Sequence, residues 1–269
     1  MHRELPNQCK CKQDNYRSIM GQITSKIKPA AGFSHFIHIA LTFLLPVLLF
    51  IFVRTGFVQI AAAIIVLSKW RMFAVKPRHW PANIRANAVD IIVAFSVLIF
   101  MAHTDSQMLQ LLWAVGYGFW LLTIKPLATT LGVSLQALIS QTLGLTALFI
   151  AWGDAPLGLL VIGAWVVAYA AARHFFASFE ESMARFLSGV WAYFASAVVW
   201  ILSHLLTFYG PIAMPALLLS VIGFGLGTMY YLDKSDRMSV LLRRQVVFVM
   251  VSIVTIVIVH FFVAGVKTV

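Results

Sequence analysis

A short polar face interrupts the apolar sequence between residues 83 and 90. Asn83, Asn87 and Asp90 stand at positions i, i+4 and i+7, the spacing that places three side chains on one face of a helix. Asp90 is an ionisable group within an apolar segment, where a charge is costly unless it is paired with an opposite charge or takes part in binding. This face is therefore a candidate for binding a substrate, an anionic ligand or a metal ion.

A salt bridge is the structural alternative for Asp90. Arg71, Arg85 and Lys125 are expected at a similar depth, about one turn inside the membrane, and any of them is a suitable partner. The two asparagines extend the polar face beyond what one ion pair needs, which favours the functional interpretation.

Cations cluster just before this face. Pro81 suits the first position of a helix, because its missing N–H is not needed there, and the free N–H groups of such a terminus attract anions. The predicted anion or lipid-headgroup site comprises Lys76, Arg78, His79, Asn83, Arg85, Asn87 and Asp90.

A second polar cluster follows about ninety residues later along the chain. It comprises Arg173, His174, Glu181 and Arg185. Because Arg185 follows Glu181 by four residues, the simplest expectation is an ion pair on a helix surface.

These clusters lie in a chain whose composition requires a membrane. The 269 residues are 61% hydrophobic and only 11% charged, with a mean hydropathy of +0.90. A soluble domain needs about 25% charged residues. The formal net charge of +11 resides in short connections between apolar stretches, a pattern of membrane topology rather than of nucleic-acid binding.

The apolar stretches predict an all-α polytopic bundle over residues 33–269, preceded by a basic cytoplasmic tail, residues 1–32, that is either disordered or a short interfacial helix. Nine spans fit the length of a membrane helix, at about 35–53, 57–74, 87–103, 107–124, 127–151, 157–176, 186–208, 211–231 and 245–264.

The distribution of cations predicts the orientation. Of 20 Lys and Arg residues, all but Arg54 and Lys267 fall on one side if the N-terminus is cytoplasmic and the C-terminus outside. Cations are retained on the cytoplasmic side during insertion. The expected location is a cytoplasmic membrane of the bacterial type.

Polar and small residues within the spans are expected to join helices. Gln136, Gln141 and the serines near them suit hydrogen bonds between helices. Gly223, Gly225 and Gly227 suit close helix approach.

The sequence supports three functions. The first is a protein that binds or moves a small solute or lipid through the bundle, with anionic lipids at its cytoplasmic face. The second is an enzyme acting on a phosphorylated lipid, although nine acidic residues supply few carboxylates for a two-metal site. The third is a non-catalytic partner of another membrane protein, or a homo-oligomer. The sequence leaves the cofactor unknown, and no metal site is predicted, since Cys9 and Cys11 suit a reduced pair.

Overall fold

The computed structural model describes residues 33–203, 208–209 and 212–264. The basic tail predicted over residues 1–32 lies outside the described part of the chain. The α-helices of the described residues are α1 (Phe33–Arg54), α2 (Val58–Ser68), α3 (Trp80–Ala102), α4 (Gln107–Phe119), α5 (Thr130–Trp152), α6 (Leu157–Ala177), α7 (Ala184–Leu202), α8 (Met214–Lys234) and α9 (Val240–Ala264). A π-helical turn, Trp120–Ile124, continues α4, and 3-10 turns at Trp70–Met72 and Pro77–His79 join α2 to α3.

Seven of the helices in the described residues, α3 to α9, are long and apolar enough to cross a membrane. The segment Thr42–Arg54 of α1 and the whole of α2 are apolar but shorter. The chain is therefore an all-α membrane bundle, as predicted. The predicted nine crossings and their orientation stay predictions.

Helix α5 lies at the centre of the helix contacts. Gly144 makes this possible, because a Cβ atom there would lie 2.6 Å from Ile92 of α3 and 2.8 Å from Val167 of α6. Gly144, which has no side chain, thus lets α3 and α6 pack closely on α5.

One core cluster joins α1 to α4 and includes Leu49, Ile65, Val93 and Tyr117.

A second core cluster joins α5 to α8 through small residues. Ala164 and Ala168 of α6 face Ala192 and Ala195 of α7, and all four are fully buried. Small side chains allow helix backbones to approach closely, so van der Waals contact can hold helices together in lipid.

Helix α9 packs along one stripe. Val257 is its single buried residue among positions 240–260, and Phe248 is 73% exposed. The described part of α9 is apolar on its outer faces as well, which suits contact with lipid.

The connection between α7 and α8 differs from the prediction. The seventh span was expected to reach residue 208, but α7 ends at Leu202 and a short antiparallel hairpin follows, with β1 (Phe208–Tyr209) paired to β2 (Ile212–Ala213). The sequence between the two strands is Gly210-Pro211, residue types that favour turns.

Candidate functional site

The predicted polar face lies on α3. The amide nitrogen Nδ2 of Asn83 donates to the Met72 carbonyl at 3.3 Å, and Nδ2 of Asn87 donates to the Asn83 carbonyl at 2.9 Å. Asp90 is buried. Asn83 therefore ties the α2–α3 connection to α3, Asn87 bonds within α3, and the carboxylate lies further along the helix.

Asp90 is paired with two lysines. Its Oδ2 atom accepts from the ammonium groups of Lys69 and of Lys125, the latter at 2.7 Å. Its Oδ1 atom accepts from the indole N–H of Trp120 at 3.2 Å. Of the predicted partners Lys125 is confirmed and Lys69 was missed. We call Asp90, Lys69, Lys125 and Trp120 the Asp90 centre.

Of the other two predicted partners, Arg85 does not form this contact, and Arg71 is not tested. The side chain of Arg85 is exposed, and the side chain of Arg71 lies outside what the structure describes. Position 85 is five residues before Asp90, about 140° away around the helix, so it faces a different direction.

The π-helical turn explains why Trp120 and Lys125 both reach one carboxylate. In an α-helix, residues five apart point about 140° away from each other. Here the Lys125 N–H donates to the Trp120 carbonyl at 2.9 Å, an i→i+5 bond. The wider turn brings the two side chains closer to the same side of the helix than an α-helical turn would. Such turns are frequent at functional sites.

Asp90 lies near the middle of α3, deeper than the single turn expected, whereas Lys125 directly follows the turn that ends the α4 segment. Ten residues separate Trp80 from Asp90, a rise of about 15 Å along α3. Helix α2 has 11 residues, so it rises only about 16 Å. It packs beside the second half of α3 and ends where Lys69 meets Asp90. The continuous span predicted over 57–74 is therefore a half-length helix followed by irregular chain.

The predicted cation cluster lies on the surface. Lys76, Arg78, His79 and Arg85 are all exposed, and Nε of Arg78 donates to Nε2 of His79 at 2.9 Å. No carboxylate lies within 4.0 Å of these cations among the described residues. Helix α3 begins one residue earlier than predicted, with Pro81 in its first turn.

The second predicted cluster is divided. Glu181 accepts from the Tyr230 hydroxyl at 2.5 Å and from the Lys234 ammonium at 3.0 Å. The ion pair predicted between Glu181 and Arg185 is wrong, because α7 begins at Ala184 and Glu181 precedes it. Arg185 is exposed. Glu181 thus joins the α6–α7 connection to the end of α8.

The Tyr230 hydrogen bond and the Lys234 ammonium hold the pKa of Glu181 below its usual range. Both partners favour the ionised form, which outweighs the opposing effect of partial desolvation. The side chain keeps 19% of its surface exposed. The carboxylate is therefore a charged anchor at neutral pH.

His174 and Arg173 have different surroundings although they are adjacent. The carboxamide oxygen of Gln136 lies 2.9 Å from Nε2 of His174, and the Gln136 nitrogen donates to carbonyls that end the π turn, those of Ile124 and Lys125, at 2.7 and 3.2 Å. Gln136 thus caps the end of α4 and binds α6, as expected for a residue joining helices. The Nε atom of Arg173 is buried and has no hydrogen-bond partner among the described residues.

A cavity that the sequence reasoning missed lies among α5 to α8 and the start of α9. Its volume is about 670 Å³, and most of its lining is apolar. Exposed lining residues, among them Val190 and Phe194 of α7, open it to the apolar outer surface of the bundle. The polar residues of the lining are Gln141, Tyr230, Asp233 and Arg243. Tyr230 and Asp233 lie at the end of α8 that contacts Glu181, and Arg243 lies in the first turn of α9.

Gln141 forms the inner wall of the cavity. It accepts from the Trp191 indole at 2.8 Å and donates to the Leu219 carbonyl at 3.0 Å, so it joins α5, α7 and α8. Gly223 leaves room for it, since a Cβ atom there would lie 2.7 Å from the Gln141 amide nitrogen. The predicted role of Gln141 between helices is confirmed. The glycine-rich sequence around 223–227 was the signal for the cavity, because Gly223 and Gly227 both line it.

Within the described part of the chain, no group of three or more His, Cys, Asp or Glu side chains is arranged to hold a metal ion. Neither a protein-family model, nor a curated protein, nor a solved structure matches this chain.

Proposed function

We propose that this chain binds a membrane lipid, with the lipid's acyl chain in the cavity among α5 to α8 and its headgroup at the cavity mouth. The observation that carries the proposal is the cavity itself. Its volume, about 670 Å³, falls within the range of about 300–1,000 Å³ typical of ligand pockets. Binding in this cavity is the step that any movement of lipid through the bundle requires.

The lining favours a lipid over a polar solute. Phe175, Leu187 and Trp191 present apolar surface along the cavity, and an apolar chain placed there buries surface worth about 25 cal/mol per Å² when it comes from water. A polar solute would lose its hydration for few hydrogen-bonding groups, since Gln141 is already bonded on both sides.

The mouth carries charges of both signs. Asp233 and Arg243 line it, and both are exposed. Arg243 suits the phosphate of a lipid headgroup, because a guanidinium group binds phosphate oxygens through paired N–H groups. The exposed cations of residues 76–85 supply a further anion-attracting surface for the same class of lipid.

Two carboxylates that the enzyme hypothesis needs are already engaged. Asp90 is bound by two lysines and Trp120, and Glu181 by Tyr230 and Lys234. A catalytic base must be available to accept a proton from a substrate. These contacts support lipid binding over lipid chemistry.

We also propose nine crossings, with the N-terminus in the cytoplasm and the C-terminus outside, in a cytoplasmic membrane of the bacterial type. Two observations support this. Each predicted span overlaps one of the helices α1 to α9, and 18 of the 20 Lys and Arg residues fall on the side taken as cytoplasmic, Arg54 and Lys267 being the other two. For α2, the irregular residues 69–79 complete the crossing that the half-length helix begins.

Filling the cavity tests the proposed function. A Cβ atom added at Gly227 would lie 3.7 Å or more from its nearest neighbours, Phe175 and Leu138. The change Gly227→Leu therefore places a side chain in the cavity without a backbone clash. We expect lipid that co-purifies with the detergent-solubilised protein, measured by native mass spectrometry, to be largely lost.

Gly116→Leu is the matched control. Gly116 also lies within a helix, α4, and a Cβ atom added there would meet no neighbouring atom within 4 Å, but this residue does not line the cavity. The variant should retain lipid as the wild type does. Equal lipid retention by both variants, with unchanged melting temperatures, would show that the cavity does not hold lipid.

A further inference from the structure

We infer that Lys125 is an anion-binding residue, which takes a phosphate group by releasing its hold on Asp90. The ligand is a phosphate monoester or inorganic phosphate, whether it arrives as a lipid headgroup or free in solution. This site is separate from the cavity, since Lys125 does not line it.

The two lysines of the Asp90 centre are not equivalent. The Lys69 side chain is 9% exposed and that of Lys125 is 42% exposed, although both bind the same carboxylate oxygen. A buried ammonium needs its counter-ion, whereas a half-exposed one loses less when that counter-ion is exchanged. Lys69 is therefore the lasting partner of Asp90, and Lys125 is the replaceable one.

Local structure supports this division. Lys69 directly follows the last residue of α2, where the negative end of the helix dipole adds to the attraction of Asp90. At the C-terminal end of α4 and its π turn, the free carbonyls of Ile124 and Lys125 already accept hydrogen bonds from Gln136. The Lys125 ammonium is not needed to satisfy those carbonyls and is available to an external anion.

Releasing Lys125 leaves no uncompensated buried charge. Asp90 would keep Lys69 on Oδ2 and the Trp120 indole on Oδ1. The net charge of Asp90 with both lysines is +1, which an added anion brings towards zero. The geometry thus provides a cation that can move without breaking the structural pair.

The surface near this centre attracts anions. Lys76, Arg78 and Arg85 are exposed and have no carboxylate within 4.0 Å among the described residues. The Asn83 amide holds the α2–α3 connection, which carries Lys76 and Arg78, against the same helix as Asp90. Unpaired cations of this kind raise the local concentration of phosphate-bearing ligands.

The test titrates detergent-solubilised full-length protein with short-chain phosphatidic acid and, separately, with inorganic phosphate. Lys125→Gln should weaken binding by about tenfold, the order expected for one charge-assisted hydrogen bond. Arg237→Gln removes an exposed cation predicted on the same membrane side and should leave affinity unchanged, whereas Lys125→Arg should keep most of it.

A labelling experiment on the wild-type protein does not depend on any variant folding. Lys234 is 45% exposed and bound to one carboxylate, so it matches Lys125 closely. Binding of the phosphate group should slow amine-reactive labelling of Lys125. With inorganic phosphate, labelling of Lys234 should stay unchanged. Phosphatidic acid is assessed at Lys125 alone, because a headgroup at the cavity mouth also lies beside Lys234. Protection by phosphatidic acid alone identifies a lipid headgroup as the ligand, and protection by both probes identifies the phosphate group itself. Protection by neither, or equal losses of affinity in Lys125→Gln and Arg237→Gln, would overturn the inference.

Discussion

The hydroxyl group of Tyr230 donates a hydrogen bond of 2.5 Å to the Glu181 carboxylate. This contact joins the α6–α7 connection to the last turns of α8, and the Tyr230 ring packs edge-on against Phe176 and Phe179. Tyr230 also lines the cavity. The same hydrogen bond therefore holds together two sides of the cavity mouth.

Stability should depend on pH through Glu181. Folding lowers its pKa, so the ionised group adds stability above its unfolded pKa of about 4.3, and this contribution is lost as pH falls through the lower folded value. The difference in Tm between wild type and Glu181→Gln should be full at neutral pH and shrink below about pH 4. Glu180→Gln, at an exposed neighbour with no ion pair among the described residues, should follow the wild-type profile. A difference in Tm that is independent of pH would contradict this.

Asp90 and Lys69 should show strong energetic coupling. Asp90→Asn leaves two ammonium groups without their counter-ion, so we expect a loss of about 3–5 kcal/mol in the free energy of unfolding. Lys69→Gln should cost less, because Lys125 still binds the carboxylate. The double variant should recover part of the sum. Additive losses, or a stable Asp90→Asn protein that has lost function, would instead support the functional interpretation of Asp90.

Two glycines of α8 should respond oppositely to alanine. A Cβ atom at Gly223 would lie 2.7 Å from the Gln141 amide, whereas at Gly227 the nearest atom is 3.7 Å away. Gly227→Ala should stabilise the helix by about 0.5–1 kcal/mol. Gly223→Ala should lower Tm, because Gln141 must shift and weaken its bonds to Trp191 and Leu219. Equal effects at both positions would mean that Gln141 adapts freely.

Labelling from outside the cell tests the predicted orientation. In a chain whose natural cysteines are replaced by serine, single cysteines at Asp105, Asp154 and Lys267 should react with an impermeant reagent. Cysteines at His79 and Lys234 should react only after the membrane is permeabilised. Outside labelling at position 79 would refute the orientation, and with it the cytoplasmic assignment of the cation cluster.

Anionic-lipid binding tests the predicted cation cluster. Replacing Arg78 and Arg85 with Gln should weaken binding of phosphorylated lipids more than replacing Lys26 and Lys28 with Gln. The reason is that the first pair flanks the start of α3, whose free N–H groups and dipole add to the charge. Equal losses, measured by sedimentation with anionic vesicles, would indicate a diffuse attraction of about 1 kcal/mol per cation.

Patterns that depend on near neighbours in the chain were readable from the sequence. Length and hydropathy predict where α3 to α9 lie, because a helix that crosses lipid must satisfy its backbone internally over about 20 apolar residues. The spacing of Asn83, Asn87 and Asp90 predicts that they share one helix face, because the geometry of a helix depends only on residues that are close in sequence. The proximity of Lys125 to Asp90 followed from expected depth alone.

Contacts between distant segments required the tertiary structure. Lys69 became a partner of Asp90 because α2 stops at half length, and hydropathy does not mark that stop. Glu181 lies nearer in sequence to Arg185 than to Tyr230 and Lys234, but the chain between α6 and α7 turns towards α8. The cavity is lined by residues of four helices, α5 to α8, and of the start of α9, so it depends on how they pack together. The sequence by itself thus determined that the protein lies in a lipid bilayer and where its helices lie. Helix packing decided which charged side chains pair and where the cavity forms.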